Sequence, residues 1–203
     1  MKNETALLSN SLLYRLQYQH ETIFELVKGL TADELKQRIN PDKWSAFENI
    51  VHLVAYNPTF LKRINIILTE ETPVFDPYVA DNDPHFRSCL EKPIDTLMKD
   101  LQNERLKIFD AITGLNSNDL NRKALHKKYG EMSLLRWTEF FLLHEAHHLF
   151  TIFMLTQNDY IFGIFILSGS LHHRFLCVAN YNNACFCAFI AQFKVKSIFL
   201  FLR

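Results

Sequence analysis

Apolar residues recur at helical spacing along most of the chain. Leu8, Leu12, Leu16, Ile23 and Val27 stand four or seven apart. They put one apolar face on a helix predicted from about Glu4 to Gly29. Glycine suits a helix stop at position 29. Thr31-Ala-Asp-Glu34 reads as a capping box that opens a short helical turn, and Pro41 punctuates it. A second long helix is expected to start at Ser45, with Phe47, Ile50, Val51, Val54, Phe60, Leu61, Ile64, Ile67 and Leu68 as its apolar positions. Pro58 is expected to kink or interrupt it, because proline lacks the backbone donor. Residues 70–90 hold Pro73, Pro77 and Pro84 among Asp and Asn and read as a long loop. A third helix is expected from Ser88, with Ser88 and Glu91 as its capping box, to Gly114. The fourth should follow Ser133 and run to about Gln157. It is apolar nearly all round, so it is expected to be the most buried.

One segment echoes another. Gly29-Leu-Thr-Ala-Asp-Glu-Leu35 resembles Gly114-Leu-Asn-Ser-Asn-Asp-Leu120, and each copy separates two long helices. The echo fits either two helical hairpins of one design or ordinary helix-end punctuation. Four long amphipathic helices predict an all-α fold, a four-helix bundle.

Composition divides the chain. Residues 1–157 carry 18 basic and 21 acidic side chains, whereas residues 158–203 carry four basic and one acidic, Asp159. Three of the four Cys and eight of the 18 Phe also fall in the last stretch. The bundle is therefore expected within 1–157, with 158–203 an atypical apolar extension. Three readings of that extension compete: packing against the bundle, an interfacial membrane anchor, or a non-native, disordered stretch left by a frameshift or altered stop codon. Phe175–Phe193 has no charge but includes three Asn, a poor membrane span. The N-terminus lacks the basic-then-apolar pattern of a signal peptide, and the Cys spacing fits neither a disulfide framework nor a structural zinc site. A cytoplasmic protein is the expectation. Formal net charge is zero, which weighs against a bulk nucleic-acid binder.

The chemistry is concentrated in Leu143-His-Glu-Ala-His-His-Leu149. His144 and His148 are one helical turn apart on one face, so two imidazoles can share an ion. They continue the stripe Trp137, Phe141, His144, His148, Ile152, Leu155, so both point where the core should be. Buried imidazoles need partners; a shared metal and a pair of hydrogen-bonded core histidines both supply them. His52, on the mixed edge of the second helix with Glu48, Asn49 and Tyr56, offers a third nitrogen. His147 lies about 60° round from His144, as a substitute ligand, a proton-transfer group or an interhelical contact. Tyr56 could bond a bound ligand or simply pack. Glu145 is expected to be solvated.

Lys43-Trp44-Ser45, His52 seven residues after that serine, and a late helix with His144-Glu-Ala-His-His148 together resemble the DinB-like family. The resemblance covers roughly residues 4–157. It implies a four-helix bundle with a three-histidine site for a divalent metal, zinc or nickel, whose matching residues are His52, His144 and His148. It implies a homodimer, and a metal-dependent transferase that uses a low-molecular-weight thiol, or a hydrolase, acting on a small molecule. A glutamine common three residues after the last histidine is replaced by Thr151. Three neutral imidazoles leave coordination positions open, as in catalytic zinc sites. No side chain declares itself as general base or nucleophile, so the catalytic residues stay unknown. The alternative is a stress-response binding or interaction module on the same bundle that turns nothing over.

Other candidates read as structure. Asp81, Asp83 and His85 have ligand chemistry but fit a polar turn with Asp before Pro. His126, Lys127 and Lys128 fit a solvated basic loop. His172 and His173 are adjacent and cannot mimic a pair one turn apart.

Overall fold

The computed structural model describes residues 8–156, with the short segments 176–179 and 185–188. The start of the first expected helix and all readings of the extension lie outside the described residues. The latter segments form two antiparallel strands, Leu176–Ala179 and Cys185–Ala188.

The first expected helix is interrupted. Helix α1 (Asn10–Tyr18) gives way to a 3-10 turn over Gln19–Glu21, and α2 (Thr22–Leu26) follows. The turn tucks His20 into the interior and lets the Gln19 amide reach the last helix. Ser9 caps α1 by accepting from Leu12 N at 3.1 Å, and Gly29 takes a positive φ of 80° just past α2, where a Cβ would be strained.

The short helix α3 (Ala32–Lys36) opens on the expected capping box, with Thr31 N donating to Glu34 Oε2 at 2.7 Å. Helix α4 (Ala46–Thr69) begins on a second one. Glu48 N donates to Ser45 Oγ at 3.2 Å and Ser45 N donates back to Glu48 Oε2 at 2.8 Å. Arg38 grips the same carboxylate, with Nε at 2.9 Å. Contrary to expectation, α4 runs through Pro58 without interruption. The ring forfeits one backbone bond, but Val54, Ala55, Tyr56, Asn57 and Phe60 around it are all buried, and that packing outweighs the loss.

The stretch read as a long loop has structure. It holds strand β1 (Val74–Phe75), a 3-10 turn over Ala80–Asn82, and helix α5 (Pro84–Leu90). Asp83 caps α5, accepting from His85 N at 2.8 Å, and Pro84 occupies the first turn, where no donor is needed. Ser88 is therefore no cap: it lies inside α5 and donates to the His85 carbonyl at 2.8 Å. Helix α6 (Ile94–Thr113) starts after Pro93 instead. The echo of the first capping box is real in form. Helix α7 (Ser117–Asn121) opens on Asn116, whose Oδ1 accepts from Asp119 N at 3.1 Å, with Asp119 reaching back to Asn116 N.

Strands β2 (Lys123–His126) and β3 (Gly130–Ser133) form a hairpin, and β1 joins β2 in parallel. This small sheet replaces the expected solvated loop. His126 is buried, its Nδ1 accepting from Lys128 N at 3.0 Å, while Lys127 pairs with Asp76 at 2.7 Å. Just before β2, Arg122 donates to the carbonyls of Ile67 and Glu70, satisfying the C-terminal end of α4.

Helix α8 (Leu134–Thr156) completes the bundle. Helix α4 packs on α6 and α8, while α1 touches both of those and α2 leans on α8. Core residues divide into two clusters along α4. One is built on Ile50, Val51, Leu97 and Leu101; the other joins Leu16, Phe60, Ile108, Trp137 and Phe141. Helix α8 is not buried all round: Leu143, Phe150, Phe153 and Met154 are exposed. No helix among the described residues is long and apolar enough to cross a membrane.

Candidate metal centre

Two helices of the bundle bring three imidazoles together. α4 supplies His52, and α8 supplies His144 and His148 from adjacent turns. His52 Nε2 lies 3.0 Å from His144 Nε2, and His144 Nε2 lies 3.2 Å from His148 Nε2. One nitrogen from each ring falls within 4.8 Å of the others. Nitrogens about 2.0–2.1 Å from a tetrahedral zinc stand about 3.3 Å apart, so the cluster is already near the spacing an ion needs. Among the described residues no other group of three His, Cys, Asp or Glu converges this way.

The protonation state suits ligation. Burial, helped by neighbouring histidines, pushes His52 down to about 3, His144 to about 4 and His148 to about 2. All three rings are therefore neutral at neutral pH and carry a free lone pair, the form a metal takes.

One ring is held by a partner that the sequence did not announce as functional. His148 Nδ1 lies 2.8 Å from Asn49 Oδ1. The Asn49 amide nitrogen donates to the Ser45 carbonyl at 2.8 Å, which fixes Oδ1 as the acceptor. His148 must then carry its proton on Nδ1 and turn the lone pair of Nε2 into the cluster. The signal was a polar residue among Phe47, Ile50 and Val51, one turn before His52. The Nδ1 atoms of His52 and His144 are buried with no such partner.

Aromatic side chains wall the cluster. Around His52 stand Trp44 at 5.1 Å, Tyr78 at 5.5 Å, Tyr56 at 6.2 Å and Phe86 at 6.4 Å between ring centres. Tyr56 packs edge-on against His144, and its hydroxyl accepts from Arg63 at 3.2 Å. Packing is thus the role its contacts show. Tyr78 donates to Asp83 Oδ2 at 2.7 Å, so Asp83 is committed to the wall and to the cap of α5. Asp81, Asp83 and His85 form no ligand cluster. His147 is exposed, its ring 5.2 Å from that of His148, outside the nitrogen cluster. A groove of about 710 Å³ lined by Tyr14, Arg15, Tyr18, Gln19 and Gln102 lies elsewhere, and none of the three histidines borders it.

Glu145 is the clearest correction. Expected in solvent, it is 1% exposed and paired with Arg105 of α6, which is equally buried. Gln19 donates to its other oxygen at 2.9 Å. Glu145 lies on the face of α8 that turns toward α6, and Arg105 meets it inside.

A four-helix bundle with three histidines converging from two helices defines the class. The chain matches the DinB superfamily over residues 15–152, and it belongs to that superfamily. It is 28% identical over 141 residues to the uncharacterized protein YuaE of Bacillus subtilis, covering 64% of this chain and 86% of YuaE. It is 23% identical over 135 residues to OB0413 of Oceanobacillus iheyensis, which is named as a candidate metal-dependent hydrolase; the match covers 66% of this chain and 78% of that one. Among solved structures it resembles YfiT from Bacillus subtilis, described as a probable metal-dependent hydrolase with an unusual four-helix bundle topology. The TM-score is 0.66 at 18% identity, over 78% of this chain and 93% of YfiT.

Proposed function

We propose that this protein is a metal-dependent hydrolase of a small molecule, with His52, His144 and His148 holding one divalent ion, zinc or nickel. The observation that carries the reading is the convergence of three neutral Nε2 atoms from α4 and α8. A divalent ion there would supply Lewis acidity and a nucleophile at neutral pH. The chain's own part is to present three ligands, leave further positions open, and keep water sparse with the ring wall of Trp44, Tyr78 and Phe86. Asn49 keeps His148 in the ligating tautomer. The names given to OB0413 and YfiT favour hydrolysis over transfer to a small thiol.

The test is metal content followed by turnover. The full chain, purified without chelator, should carry about one zinc or nickel per chain, and His144→Ala should carry none while keeping its helical circular dichroism. The loaded protein should cleave members of an ester and amide panel without added thiol. Turnover only when a small thiol is present would replace hydrolysis with transfer. No metal in either protein after incubation with zinc or nickel would remove the metalloenzyme reading.

A further inference from the structure

Glu145 sits between His144 and His148 in sequence but faces another way. It lies about 100° round the helix from His144, toward α6 and the 3-10 turn rather than toward α4. Two elements grip its carboxylate. Arg105 pairs with Oε1, and Gln19 donates to Oε2 at 2.9 Å. The same Gln19 amide donates to the Leu142 carbonyl at 2.8 Å, so it holds backbone and side chain of α8 together.

A second line of contacts runs from Arg105 to the centre. Its guanidinium lies 4.6 Å from the Phe141 ring centre. Phe141 stacks toward Tyr56 at 6.1 Å, and Tyr56 meets His144 at 4.8 Å. Arg105 therefore reaches His144 both through the adjacent residue and through two rings.

The pair is a poor device for stability alone. Arg105 Nε and Nη1 are buried without partners, so the desolvated cation is only partly compensated. Apolar side chains of similar volume commonly serve a core as well or better. An ion pair differs from an apolar contact in being directional: it specifies an angle, whereas packed methyl groups tolerate sliding.

We propose that the Arg105–Glu145 pair, with Gln19, is the positioning device of the histidine centre. It holds the rotation of α8 about its axis so that His144 and His148 face His52. The proposal rests on the metal-binding reading above, and none of the three residues need touch metal or substrate.

Cobalt(II) titrated into the full chain, followed by visible absorption and circular dichroism, tests it. Wild type should show ligand-field bands that His144→Ala lacks. The double variant R105M/E145M should keep its helical signal, bind cobalt at least about tenfold more weakly, and shift its bands. A folded double variant with wild-type affinity and bands overturns the positioning role while leaving the metal centre standing. No bands in wild type overturns both. If the double variant fails to fold, Gln19→Met decides, because it keeps the ion pair. Weaker binding with shifted bands supports the role, and unchanged binding overturns it.

Discussion

Asn49 Oδ1 and His148 Nδ1 are 2.8 Å apart, and this one contact ties the first turn of α4 to the histidine stripe of α8. Its polarity is set from behind, by the Asn49 amide donating to the Ser45 carbonyl. The tautomer of His148 is thus decided at a helix start.

Asn49→Ala should weaken zinc binding by about 10–100-fold, the usual cost of losing the group that orients a ligating histidine. Asn49→Asp keeps an acceptor for His148 but sets its second oxygen against the Ser45 carbonyl, so it should recover the affinity only in part. Competition against a chromogenic chelator measures both. Equal affinity in Asn49→Ala and wild type would show that His148 needs no orienting partner.

Glu145→Ala should destabilise the metal-free protein by about 3–5 kcal/mol, because it strands the Arg105 cation in the core. Urea unfolding followed by circular dichroism reads this directly. A loss under about 1 kcal/mol, the range of an exposed pair, would mean that water reaches Arg105.

His20 predicts an acid-side loss of stability. Burial, with Arg105 nearby, pushes its imidazole from 6.5 to about 4. Between those values the unfolded chain binds a proton that the folded one refuses. This contribution is intact above about 6.5 and is lost as pH falls toward about 4. His20→Leu should fall less steeply across that window than wild type in thermal melts. Parallel curves would exclude His20 as a source of the slope.

Ser45→Ala should cost about 1 kcal/mol by removing the side-chain acceptor at the start of α4. Ser45→Thr, which keeps the hydroxyl that also donates to Glu48 Oε2 at 2.9 Å, should restore it. Because the Ser45 carbonyl is retained, zinc affinity of folded Ser45→Ala should stay close to wild type. A large loss of affinity would place the hydroxyl, not the carbonyl, in the chain of contacts behind Asn49.

Much of this architecture was legible in the sequence because it is periodic. The four-residue spacing of His144 and His148, and the apolar stripe through them, survive intact in α8. So do the capping box at Thr31 and the Ser45 start of α4. The small sheet was not legible, since two to four residues are too few for an alternating pattern to declare itself. The burial of Glu145 was not legible, since a carboxylate ordinarily goes to solvent and its partner Arg105 lies 40 residues away and leaves no local trace. Asn49 shows in the sequence only as a polar neighbour of His52, because a side-chain bond across 99 residues has no spacing rule.

The separation of His52 from His144 has a consequence for how the chain is made. They are 92 positions apart. At about 5–20 residues per second of synthesis, His52 leaves the ribosome roughly 5–20 s before its first partner. During that interval the nascent chain holds α4 with a lone imidazole and a half-built apolar face. The centre can therefore close only after α8 has been made, and any product ending before α8 carries His52 with nothing to meet it.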